Sequence, residues 1–116
     1  MKLKLLKIIE RGVLKDERVH LLAEVDLNLT FYLIFSTYRI GDGVSRMPER
    51  VYWFPEHEVK AGDHVILYTR AGTDSTNRRN DGATNHFFFQ DLDSALYTKS
   101  SACVLALEVN TWMTSA

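Results

Sequence analysis

Four histidines, one cysteine and an arginine-bearing polar stretch are the residues on which chemistry would rest in this chain of 116 residues. His57, Glu58, Asp63 and His64 fall close together, and imidazoles beside carboxylates can hold a divalent metal or pass a proton between acid and base. Their spacing matches neither H-E-x-x-H nor a Cys/His zinc pattern. His57 precedes a turn and His64 opens a strand, so the sequence predicts solvated turn residues with no reason to converge. His86, beside an aromatic run, joins them only if the fold brings it there. The set His57, Asp63, His64 and His86 defines a rival reading, a small metal-dependent hydrolase or lyase. Cys103 has apolar neighbours, and period two places it with Leu105 and Leu107. A buried structural thiol is expected there rather than a nucleophile, which needs a base and an electropositive setting. No catalytic, cofactor-binding or metal-ligating residue is assigned.

Arg70 to Thr84 reads R-A-G-T-D-S-T-N-R-R-N-D-G-A-T and is read as the longest loop, because it holds no apolar residue larger than Ala. Arg70, Arg78 and Arg79 are the candidate binding residues, since forked guanidinium groups suit phosphate oxygens and carboxylates. Asp74 and Asp81 sit among them and partly cancel their field. The Arg70–Asn85 loop therefore supports a nucleic-acid-binding alternative that the net charge does not favour: 14 Lys and Arg oppose 15 Asp and Glu. Tyr38, Tyr52 and Tyr97 are candidates for contact area outside the core.

These residues need a frame, and period two supplies it far more often than period 3.6. Val19, Leu21, Ala23 and Val25 alternate with Arg18, His20, Leu22 and Glu24. Phe31 to Tyr38 is apolar on both faces, the pattern of a central strand covered on both sides. Tyr52-Trp53-Phe54 stops at Pro55, which has no N–H for a ladder. His64 to Thr69, Asn85 to Gln90 and Cys103 to Val109 are further strands, while Asp91 to Ser101 is a short helical turn or an irregular crossover. In the first segment the apolar phase slips between Leu5 and Leu6, which a strand with a β-bulge explains better than a short helix. Gly12 with Lys15-Asp16 suits a hairpin, Gly41-Asp42-Gly43 a turn, and Lys60-Ala61-Gly62-Asp63 a tight turn with Gly62 at the position that needs positive φ. Several short strands separated by such turns point to an all-β sandwich.

The middle of the chain resembles the lamin-tail domain, an immunoglobulin-like β-sandwich module. The resemblance rests on Tyr52-Trp53-Phe54-Pro55, then Val59-Lys60-Ala61-Gly62-Asp63, then Val65-Ile66-Leu67-Tyr68. It implies one domain over residues 1–116, with two antiparallel or mixed sheets, and a non-catalytic module that binds protein, DNA or membrane. Stand-alone rather than attached to a coiled-coil rod, such a module acts through its own surface.

Composition bounds the rest. Apolar residues make up 46% and charged residues 25%, a globular mixture with one core. One cysteine excludes an intrachain disulfide, so burial must hold the fold and a reducing, cytoplasmic compartment is expected. Lys2, Lys4 and Lys7 interrupt the apolar residues of the first segment, which reads as structure rather than a secretion signal. The function expected is a non-catalytic interaction module, without cofactor. Its partner is another protein, with nucleic acid second and a homo-oligomer left open.

Overall fold

The computed structural model describes residues 1–116 as an all-β sandwich. Its strands are β1 (Leu3–Ile9), β2 (Arg18–Ala23), β3 (Leu27–Asn28), β4 (Tyr32–Ile40), β5 (Gly43–Val44), β6 (Arg50–Trp53), β7 (Glu58–Val59), β8 (His64–Tyr68), β9 (Ser75–Arg78), β10 (Thr84–Phe89) and β11 (Ala102–Glu108). The first sheet has the order β1-β2-β8-β10-β9. The second places β4 between β11 and β6 and adds β5 at one end; β3 and β7 form a small bridge of their own. Every pairing is antiparallel except that of β8 with β10. No helix is long and apolar enough to cross a membrane.

Alternation explains which side of each strand is buried. Val19, Leu21, Ala23, Val65, Leu67 and Phe88 of the first sheet meet Tyr32, Ile34 and Ala102 of the second in one core cluster, closed by Phe54, Leu29, Val59, Leu96 and Tyr97. The strand expected at the start of the chain carries its bulge between Leu5 and Lys7. Leu6 is the extra residue, which returns Ile8 to the inner face opposite Val19. Gly62 has φ +89°, its N–H donates to Ala23 O at 2.8 Å, and Asp63 N–H closes the turn on Lys60 O at 2.9 Å. This turn delivers Val65 and Leu67 inward, as the sequence predicts.

The buried carboxylate of Glu17, 0% exposed, ties the β1–β2 hairpin to the irregular crossover after β10. It accepts from Gly12 N–H (2.7 Å), the Thr69 hydroxyl (2.7 Å), Leu96 N–H (2.8 Å) and Tyr97 N–H (3.1 Å). Four donors around one carboxyl group satisfy the requirement that buried polar groups be hydrogen-bonded.

Several expectations need correction. The stretch after Arg70 is not one loop: Ser75–Arg78 pairs antiparallel with β10, because an exposed edge strand needs backbone partners but no apolar side chains. Val25 lies beyond the end of β2 and is exposed. Tyr97 is a core residue, and Tyr38 and Tyr52 pack against the core. Cys103 is half-buried, on the side of β11 turned away from the core. The strand β4 is central in its sheet, but only one of its faces is covered by the rest of the chain.

Candidate functional site

The uncovered side of the second sheet is built from rows set by strand register. Leu105, Phe35 and Val51 lie abreast, and so do Leu107, Leu33 and Trp53; Cys103 faces Thr37. Directly opposed residues share a face, and none of these rows carries a charge. Val51 is 52% and Trp53 46% exposed, whereas the alternate residues Tyr32, Ile34, Val104 and Ala106 belong to the core side. At one end the face is bounded where the Thr37 hydroxyl donates to Ser45 O at 2.8 Å. At the other, Trp112 sits edge-on to Trp53 with centroids 5.0 Å apart and to Phe31 at 6.0 Å. Trp53 Nε1–H donates to Thr30 O at 2.7 Å, which fixes the indole against the strand. The result is a continuous apolar face. Its signals were present in the sequence as the two apolar faces of Phe31–Tyr38 and the alternation of Cys103–Val109, both read there as interior.

The three candidate arginines do not form a common site. Arg70 lies over the rings of Tyr68 (4.6 Å) and Phe89 (5.1 Å), and its guanidinium donates to Lys15 O and Ala71 O at 2.8 and 2.9 Å. Tyr68 and Phe89 stack with an 11° angle, and Gly72 lies so close that a Cβ there would come within 2.4 Å of the Phe89 ring. This is a structural clamp on the outer face of the first sheet. Arg79 donates to Asn85 Oδ1 at 2.9 Å and pairs with Asp81 at 3.6 Å. Only Arg78, exposed at the end of β9, makes no side-chain hydrogen bond or ion pair.

The histidines fall into two pairs. His57 Nε2 and His86 Nδ1 are 2.9 Å apart, and His86 Nε2 is 2.8 Å from Asp63 Oδ2. Asp63 also accepts Lys60 N–H on Oδ2 and Thr84 N–H on Oδ1, each at 3.0 Å. Burial pushes the Asp63 carboxyl up, but the Lys60 N–H, His86 and the Thr84 N–H outweigh it and hold the group below its usual range. Asp63 and His86 are both buried; of the rival set His57, Asp63, His64 and His86, three converge, although His57 and Asp63 read in the sequence as solvated turn residues with no reason to meet. The fourth, His64, points to the outer face of the first sheet, where its Nδ1 lies 2.9 Å from His20 Nε2. Burial lowers the pKa of His20, with help from His64, Arg79, Lys7 and Arg18. It also lowers that of His64, with Arg79 adding and Asp81 and Asp63 opposing. For His57, burial and His86 lower the pKa against an opposing pull from Asp74. No group of three His, Cys, Asp or Glu side chains is placed to hold a metal ion. No signal in one sequence could show that His86 rather than His64 completes the set, because the parallel pairing of β8 with β10 decides it.

No family model matches the chain, and no curated protein or solved structure is similar to it.

Proposed function

We propose that the protein is a protein-binding module that docks through the apolar face of the β11-β4-β6 sheet, and that the occupant is a second copy of the same chain. The observation that carries this reading is the uncharged double row Leu105-Phe35-Val51 and Leu107-Leu33-Trp53. A strand apolar on both faces is the pattern of burial on both sides, and the chain itself covers only one. With no charge in the rows, the face meets an identical face without repulsion and lacks the sign that would select an acidic or basic partner. With strands about 4.8 Å and residues about 3.4 Å apart, the face is roughly 15 Å wide over the roughly 14 Å where all three strands pair, and β11 with β4 carries it to about 24 Å. Contoured by side chains and extended by Phe31 and Trp112, it offers on the order of 600 Å² per copy, the lower end for stable interfaces. A two-fold axis through Phe35 would stack the sheets face to face, about 10 Å apart.

The resemblance to the lamin-tail domain supports the same reading, since it implies an interaction module rather than an enzyme at this face. A lone Cys103 supports a reducing, cytoplasmic setting. The nucleic-acid alternative has less behind it, because Arg70 and Arg79 already serve neighbours within the chain. Sedimentation equilibrium tests the proposal. The protein should form dimers that dissociate in Leu105→Glu and Phe35→Glu, with the β-sheet circular dichroism of the folded chain retained. A wild-type monomer at every concentration up to about 100 μM would refute it, since a specific self-association weaker than that falls short of a stable interface.

A further inference from the structure

A second feature lies where β9 and β10 meet the chain that follows β6. Pro55, His57, Asp74, Ser75, Thr76, Phe87 and Phe88 line a cleft of about 320 Å³, and the Asp63–His86–His57 chain of hydrogen bonds ends in it. The chain reads in one direction. Asp63 accepts on both oxygens and is held ionised, so His86 presents Nε2–H to it. With its Nε2–H committed to Asp63, His86 offers Nδ1 as the acceptor and His57 Nε2–H donates to it. That leaves the lone pair on Nδ1 of His57. The buried polar side-chain atoms without a hydrogen-bond partner are Ser36 Oγ, Arg79 Nε and Tyr97 OH; Nδ1 of His57 makes no hydrogen bond within the protein and is not among them, so it meets solvent.

We propose that this relay makes Nδ1 of His57 a nucleophile toward small aryl esters entering the cleft. A carboxylate behind an imidazole fixes its tautomer and stabilises the cation it forms, and here the effect passes through a second imidazole. The ring of His57 stands edge-to-face with Phe88, 5.3 Å between centroids, and Pro55, Phe87 and Phe88 give the cleft the apolar wall an aryl group requires. In the reaction, Nδ1 bonds to the acyl carbon and the ester C–O bond breaks, releasing aryloxide. The Nε2 proton of His57 passes to His86, beside Asp63, which leaves a neutral acyl-imidazole. Water then cleaves the acyl–nitrogen bond and its oxygen enters the carboxylic acid. His86 returns its proton to His57, and the remaining proton of water converts aryloxide to phenol.

The molecule contains its own control. His20 and His64 make the same 2.9 Å contact, but neither donates to a carboxylate. Hydrolysis of p-nitrophenyl acetate at pH 7 should fall at least about tenfold in His57→Ala, the nucleophile being lost, and stay within about twofold in His20→Ala. Nitrogen-15 NMR of the unaltered protein reads the relay without a variant: His57 and His86 should both carry their proton on Nε2. Equal rates for wild type and His57→Ala, an equal loss in His20→Ala, or a wild-type His57 protonated on Nδ1 would each overturn the proposal. None of these outcomes bears on dimerisation.

Discussion

At the scale of single residues, the largest stake is a carboxylate that faces no substrate. Glu17 holds four donors from three separated segments, and removing it strands the Leu96 and Tyr97 N–H groups in the interior. Glu17→Ala should therefore lower stability by about 3 kcal/mol or more, read from the urea midpoint, whereas a loss under about 1 kcal/mol would show that water replaces the carboxylate. Nothing in the local sequence Lys15-Asp16-Glu17-Arg18 distinguishes Glu17 from a surface acid, because its partners at positions 96 and 97 are remote in the chain. The histidines give a pH dependence with a definite sign. His20, His57 and His64 all have pKa values lowered from 6.5, so below that value the unfolded chain binds more protons than the folded one. Their contribution is complete above about pH 6.5 and is lost as pH falls through the lowered values. The urea midpoint should drop between pH 7.5 and 5, and a midpoint that rises over that interval would contradict the packing around both pairs.

At the scale of elements, the strands that alternate cleanly were legible and those held by backbone alone were not. β2, β4, β8, β10 and β11 follow from their apolar phase, and the bulge in β1 follows from the slip between Leu5 and Leu6. β9 reads S-T-N-R and gave no sign, since an edge strand exposed on both faces obeys no hydrophobic pattern. The turn before β8 was legible because Gly62 supplies a conformation other residues resist. Gly62→Ala, with open space around the Cβ but φ at +89°, should destabilise by about 1 kcal/mol through backbone strain alone. Thermal unfolding checks this, and an unchanged midpoint would mean that the turn relaxes to another type. The convergence of Asp63, His86 and His57 was out of reach for a related reason. It depends on β8 and β10 running parallel, with Asn85 beside His64 in register, and no local motif states which strands pair.

At the scale of the whole molecule, the two sheets differ in what covers them. On the outer face of the first, Arg70 lies over Tyr68 and Phe89 and His20 meets His64, while the second carries a half-exposed double apolar row with only Phe31 and Trp112 at its end. The sequence announced a face on each side of β4 that wants burial; the single chain accounts for one. Cys103 lies on the open face, beside Thr37 and in line with Leu105, and its thiol reports whether the face is covered. The rate at which Cys103 reacts with a water-soluble disulfide reagent, followed from about 1 to 100 μM protein, spans the range over which a micromolar dimer assembles. The rate should fall as concentration rises, and Phe35→Glu should keep it at the dilute value throughout. A wild-type rate that is the same at both ends of the series would contradict docking through this sheet.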